Sequence, residues 1–192
     1  MILASNSPRR KEILENFGFS LKTVSKNIDE ISNKEKITEK IMDIARQKTE
    51  AVAVIYPDEN VVGADTVVVV EGKILGKPKD EKEAFNMLKS LSGRSHEVIT
   101  AYSFINLKNN IMINDVEVTK VFFKKLSDEE INWYINTKEP MDKAGAYGIQ
   151  RKGAFFVEKI EGDFFSVMGF PLGKFLRRLT EIGIDLNNLE NL

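Results

Sequence analysis

The ten residues Val61-Val62-Gly63-Ala64-Asp65-Thr66-Val67-Val68-Val69-Val70 constrain this chain more than any other stretch. A run this rich in β-branched residues reads as a strand buried on both faces, with a break predicted at Gly63. Its densest apolar part, Val67 to Val70, is far too short to cross a bilayer. Asp65 stands inside the run, where a carboxylate faces desolvation that a cation, a metal or several hydrogen bonds must offset. A turn-capping structural aspartate is the alternative reading. Thr66 falls on the opposite face if the strand is regular, and a bend here would turn both side chains to one side.

The rest of the chain alternates strands and helices. Ile2-Leu3-Ala4 predicts a short strand that runs into Ser5-Asn6-Ser7-Pro8-Arg9-Arg10. Ser7 suits an N-cap and Pro8 the first helical position. The helix that follows carries Ile13, Leu14 and Phe17 on one face and ends at Gly18. Leu21 to Val24 predicts a second strand, and Ile28-Asp29-Glu30-Ile31 a polar loop. Ile37, Ile41, Ile44, Ala45, Lys48 and Val52 recur at helical spacing until Pro57-Asp58. Glu71-Gly72-Lys73 predicts a tight turn leading through Ile74-Leu75 to Gly76-Lys77-Pro78. Asp80 with Glu83, and Ser127 with Glu130, have the spacing of capping boxes for two further helices. In the second of these helices, Trp133 is assigned to the packing face. Residues 97–107 and 111–123 predict a long hairpin. Short strands are expected near Tyr147–Ile149, Phe155–Ile160 and Phe164–Val167, then a last helix after Pro171 that ends near Gly183. These elements predict an α/β fold: a mixed twisted sheet with flanking helices, folded into two lobes around a cleft. Residues 1–192 are read as a single domain whose two lobes share that sheet.

Composition narrows the chemistry. The 192 residues include no cysteine, which excludes thiol nucleophiles, cysteine-bound zinc, iron–sulfur clusters and disulfides. His96 is the single histidine, so a Ser-His-Asp triad or a multi-histidine metal site is not expected, and His96 itself reads as a structural hydrogen-bonder. The 28 basic and 29 acidic residues give a net charge of −1, unlike a surface built to coat nucleic acid. No signal peptide is evident, and the sequence reads as a cytoplasmic protein.

What remains is carboxylate, cation and hydroxyl chemistry. Ser5, Ser7, Arg9 and Arg10 gather at a helix N-terminus, whose N–H groups and dipole favour an anion. Two cations in that first turn oppose the dipole unless an anion is bound. The motif reads equally as a phosphate site or as an ordinary capped helix with solvated arginines. Lys77 follows the hairpin that returns from Asp65, and Gln150 follows the small-residue run Ala144-Gly145-Ala146-Tyr147-Gly148. Together these parts suggest a grip on polyphosphate, with carboxylates able to bind Mg²⁺ or Mn²⁺ or to activate water.

Leu3-Ala4-Ser5-Asn6-Ser7-Pro8-Arg9-Arg10 resembles the N-terminal signature of the Maf family of nucleoside triphosphate pyrophosphatases. The resemblance continues in order through Gly63-Ala64-Asp65-Thr66, Gly76-Lys77-Pro78, Ser92-Gly93-Arg94, Glu139-Pro140, Asp142 to Gln150, and Gly169-Phe170-Pro171-Leu172. It implies a fold related to the Ham1-type inosine triphosphatases. It also implies metal-dependent cleavage between the α- and β-phosphates of a nucleoside triphosphate, releasing pyrophosphate. By the same matching, Asp65 is the proton acceptor, and Asp65 and Glu30 are the carboxylates of a Mg²⁺ or Mn²⁺ site. Arg10, Glu30 and Lys77 complete the phosphate and metal site, with Ser5 and Ser7 beside it. Arg9, Thr66 and Gln150 govern base selection, in a pattern similar to the branch acting on dTTP and UTP. The Gln150 amide has a donor and an acceptor that suit the adjacent O4 and N3–H of uracil or thymine. Arg151 stands where glycine is usual and adds a long cation beside Gln150; Ala101 and Lys138 also replace glycine, Ser95 stands where threonine is common, and Ser166 where asparagine is. A broader or purine-directed pyrophosphatase, one acting on 7-methyl-GTP, and a nucleotide-binding regulator of cell division are the rival expectations. The resemblance also allows a homodimer.

Overall fold

The computed structural model describes residues 1–192. Seven strands and six α-helices alternate along the chain, the mixed α/β pattern expected from the sequence. The strands hydrogen-bond in the order β2 (Lys22–Thr23), β1 (Ile2–Leu3), β3 (Val61–Val70), β5 (Ser95–Asn106), β6 (Ile111–Phe123), β7 (Val157–Glu161), and β4 (Lys73–Leu75) pairs with β3. β1 runs parallel to both β2 and β3, whereas β4 and β7 pair antiparallel with β3 and β6, so the sheet is open and mixed. No helix is long and apolar enough to cross a membrane. The chain divides into two compact units, the first comprising Met1–Asp65, Thr100–Glu117 and Gly169–Leu192, the second Thr66–Ile99 and Val118–Met168.

In the first unit, α1 (Pro8–Asn16) is the crossover that parallel pairing of β1 and β2 requires. Ile13 and Leu14 face inward, but Phe17 is exposed, because α1 ends before it and Phe17 takes the C-cap position. α2 (Ile37–Ala53) buries Ile41, Ile44, Ala45 and Val52 of the predicted stripe, with Thr49 and Ala53 beside them, while Ile37 and Lys48 are half-buried. Ile2, Ala4, Val52, Val61 and Ile105 form one part of the core. Around α6 (Leu172–Glu181), the Phe175 ring meets Phe19, Tyr102, Phe104 and Phe170, with centroids 5.2–5.8 Å apart. Gly63 does not break β3. A Cβ there would lie 2.4 Å from the Thr49 hydroxyl, so glycine is what lets α2 lie close against the strand.

In the second unit, β3 and β4 join through Glu71 and Gly72, both at positive φ (49° and 74°), a two-residue turn matched to strand twist. Asp80 caps α3 (Glu81–Leu91) by accepting the Glu83 N–H, and Ser127 with Glu130 forms a full capping box on α4 (Asp128–Asn136). Val68, Leu88, Leu91, Val121, Phe123, Ile131, Tyr134 and Phe156 pack the core.

Three local expectations are corrected here. Phe164–Met168 is a helix, α5, because the Asp163 carboxylate at its start accepts the Ser166 N–H. Tyr147–Ile149 forms no strand: Gly145 and Ala146 take left-handed backbone (φ 67° and 58°), and the Gly148 N–H goes to the Tyr134 hydroxyl. Trp133 is exposed; Ile131, Tyr134 and Ile135 form the packed face of α4.

Candidate active site

The parallel register Leu3↔Val62 sets the C-terminal end of β1 beside the start of β3, so Ser5, two residues past Leu3, and Asp65, three residues past Val62, both lie towards the C-terminal end of β1. Ligands of open α/β sheets bind at that end. Ser5 is buried, and its Oγ accepts the Ser7 N–H at 3.2 Å and a proton of Arg10 Nη1 at 3.0 Å. Arg10 Nε donates to the Gly169 carbonyl at 2.9 Å, so its planar fork is held from two directions. Ser7 occupies the N-cap position predicted for it, yet its hydroxyl makes no cap bond. The first turn of α1 carries no acidic residue, so the positive end of its dipole coincides with the two arginines. Burial lowers the Arg10 pKa from its ordinary value, Asp65 and then Glu30 pull it back up, and Arg9 pushes it down. Arg10 therefore shares the electrostatic neighbourhood of both candidate carboxylates.

Asp65 is mostly buried, and the cation that answers its charge is Lys48. The Lys48 ammonium lies 2.7 Å from Asp65 Oδ1 and 2.8 Å from Glu30 Oε1. The loop carboxylate of Glu30 and the strand carboxylate of Asp65 thus converge on one charge presented by α2. Sequence reasoning placed Lys48 in the α2 stripe without giving it a role. The available signal was its position, four residues from Ile44 and four from Val52, where a lysine among packed residues needs an anionic partner.

The described residues contain no group of three or more His, Asp or Glu side chains able to hold a metal. Asp65 and Glu30 nevertheless fit a hard cation of the Mg²⁺ type. Such ions take oxygen ligands, and are bound through one or two carboxylates plus substrate phosphates. That a single ammonium already bridges the two carboxylates places both within reach of one positive charge.

The other predicted site residues lie in the second unit, except Arg9, which is half-buried in α1. Thr66 is half-buried and follows Asp65 on the unbroken strand. Lys77 is exposed in the loop after β4, which is anchored by the Gly145 N–H donating to the Gly76 carbonyl at 3.0 Å. Gln150 is half-buried at the start of the 3₁₀ helix Arg151–Phe156, in extended backbone. Arg151 takes left-handed backbone (φ 57°), and it lines an open groove of about 560 Å³ with Trp133, Phe155, Lys152, Glu129 and Glu130. His96 is the structural hydrogen-bonder expected: it is buried, with Nε2 2.7 Å from the Tyr147 hydroxyl. Ser92 and Arg94 of the Ser-Gly-Arg motif are engaged elsewhere, Ser92 Oγ accepting the Leu126 N–H and Arg94 pairing with Glu71.

The fold is of the class seen in HAM1 proteins. The solved structure of a HAM1 protein from Coxiella burnetii matches with a TM-score of 0.50, covering 94% of this chain and 98% of that one at 15% identity. The chain belongs to the Maf family, whose model, described as Maf-like protein, matches residues 1–182. A Fusobacterium nucleatum protein named dTTP/UTP pyrophosphatase is 55% identical over 192 residues, all of both chains. A Pyrococcus furiosus protein of the same name is 48% identical over 190 residues, 98% of each chain.

Proposed function

We propose that this chain hydrolyses dTTP and UTP to the monophosphate and pyrophosphate, clearing unwanted or modified pyrimidine nucleotides. The observation that carries the proposal is the 55% identity to a dTTP/UTP pyrophosphatase along its whole length. The Asp65–Lys48–Glu30 cluster beside Arg10 supplies the means.

In this reading the triphosphate meets the N-terminal turn of α1, where Ser5, Ser7, Arg9 and Arg10 offer hydroxyls and positive charge. Water attacks the α-phosphorus and pyrophosphate leaves, so negative charge grows on the bridging oxygen. Arg10 and Lys77 stabilise that charge. Lys48 holds Asp65 Oδ1. The other oxygen of Asp65 takes the proton of the attacking water, or orients the water, while the Lys48 contact fixes the carboxylate in place. Asp65 and Glu30 are the residues that would hold Mg²⁺ or Mn²⁺, which when bound would neutralise part of the triphosphate's charge. Gln150 pairs with O4 and N3–H of the base, with Arg9 and Thr66 as its partners in base selection. The protein acts as one Maf-like domain in the cytoplasm on free nucleotides, without nucleic acid or membrane partners, as a monomer or a homodimer.

Pyrophosphate release is measured on dTTP, UTP, CTP, GTP, 7-methyl-GTP and ITP, with Mg²⁺ or Mn²⁺, an EDTA blank and the Asp65→Asn variant. The expected result is metal-dependent activity concentrated on dTTP and UTP. Asp65→Asn should keep nucleotide binding and lose turnover by about two orders of magnitude or more. Preference for ITP or 7-methyl-GTP would keep the reaction and overturn the base assignment. Binding without turnover on any nucleotide would favour the regulator.

A further inference from the structure

The segment that carries Gln150 is closed at both ends by one pair of side chains. The Gly148 N–H donates to the Tyr134 hydroxyl at 3.1 Å, and that hydroxyl donates in turn to Glu139 Oε1 at 3.0 Å. The Gly153 N–H reaches the same Glu139 oxygen at 3.4 Å. Two backbone donors five residues apart thus end on a single phenol–carboxylate pair, with Gln150 between them. The ends also touch each other. A Cβ on Gly153 would stand 2.1 Å from the Gly148 carbonyl oxygen and 2.8 Å from the Tyr134 hydroxyl, so only glycine lets the loop shut. A Cβ on Gly148 would meet Lys143 Cε at 2.7 Å.

The clasp is rigid for reasons of its own. Tyr134 is fully buried in the second unit's core, its ring set edge-on to Phe156 at 5.0 Å. Burial pushes the Tyr134 phenol's pKa well above its ordinary value, so the hydroxyl keeps its proton. One proton and one donor direction follow: the phenol gives to Glu139 and can only accept from Gly148. Glu139 is fixed from behind, since Lys143 donates to its backbone carbonyl at 2.6 Å and its own N–H goes to Thr137 Oγ1.

We propose that Tyr134 and Glu139 are positioning residues for base selection: by clasping Gly148 and Gly153 they fix where, and which way round, the Gln150 amide is presented. This rests on the proposed reading of Gln150. An amide on a loose loop can turn over and satisfy cytosine, whose polarity at the two paired atoms is the reverse of uracil's. A closed loop denies it that freedom.

The test compares kcat/KM for UTP and CTP in Tyr134→Phe, Glu139→Ala, Glu139→Gln and Gln150→Ala, with thermal melts confirming that each is folded. Tyr134→Phe keeps the ring packing and removes both hydroxyl bonds. Loss of a hydrogen bond or two predicts a fall in the UTP-over-CTP preference of about fivefold or more, carried mainly by KM for UTP. Glu139→Ala should do the same. Glu139→Gln, which keeps an acceptor oxygen, should restore most of the preference. In the Gln150→Ala background, Tyr134→Phe should change the preference no further. If Gln150→Ala leaves the wild-type preference intact, the reading of Gln150 fails, and the clasp's role in selection with it. If Gln150→Ala abolishes the preference while folded Tyr134→Phe and Glu139→Ala retain it, the clasp alone is overturned. An equal loss of kcat on every nucleotide, with the preference unchanged, assigns the pair a structural role only.

Discussion

Lys48 and Asp65 meet at 2.7 Å across seventeen residues of sequence, joining the middle of α2 to the middle of the central strand. The ammonium is shared with Glu30 at 2.8 Å, so one cation from a helix organises a strand carboxylate and a loop carboxylate.

Replacing Lys48 by methionine keeps the stem that packs in α2 and removes the charge. Asp65 and Glu30 then lose the cation that bridges them, and their mutual repulsion is offset only by the more distant field of Arg10. The melting temperature of Lys48→Met should fall below wild type in EDTA, and added Mg²⁺ or Mn²⁺ should recover most of the loss. Turnover should drop about tenfold or more, because Asp65 is no longer held in place. A melting temperature that ignores divalent ions in this variant would show that the two carboxylates do not share a cation.

Arg10 bonds in two directions, to Ser5 Oγ and to the Gly169 carbonyl. A lysine keeps the charge but cannot span both acceptors as a planar fork. Arg10→Lys should therefore lower kcat/KM for UTP by about tenfold, the scale of one charge-assisted bond, while binding remains salt-sensitive. Full activity in Arg10→Lys would mean that the orientation of the fork is irrelevant to the phosphate.

His96 gives the fold an acid limit of its own. Burial lowers its pKa to about 4, against 6.5 for the free side chain. Between those values the unfolded chain binds the proton and the folded chain does not. The neutral-histidine contribution is therefore complete above pH 6.5 and is lost as pH falls toward 4, amounting to on the order of 3 kcal/mol. Urea midpoints measured from pH 7 to 4 should fall more steeply for wild type than for His96→Gln, which keeps an acceptor for the Tyr147 hydroxyl. Parallel pH profiles would assign the acid limb to carboxylates alone.

Gly63→Ala places a methyl 2.4 Å from the buried Thr49 hydroxyl, which already donates to the Ala45 carbonyl at 2.8 Å. Overpacking of this kind costs about 1–3 kcal/mol. Denaturant unfolding should show that loss. Adding Thr49→Ala should recover part of it, since the Thr49 Cβ itself stands 3.5 Å away, at ordinary contact distance. Failure of the second substitution to help would place the strain in the backbone of β3 instead.

Much of this protein was legible in local patterns. The valine run, the α2 stripe, the Ser127–Glu130 box and the Glu71-Gly72 turn are decided by residues near in sequence, whose propensities and spacings act without the rest of the chain. The same holds for Asp65, conspicuous because a carboxylate inside an apolar strand demands a partner. The partner's identity was a different matter. The partners of Lys48, the role of Gly63 and the absence of a strand at Tyr147–Ile149 all involve contacts between segments distant in sequence. Periodicity assigns a residue to a face, and only packing says what stands opposite it. The tertiary structure therefore decided which cation answers Asp65, and which phenol and carboxylate close the loop that carries Gln150.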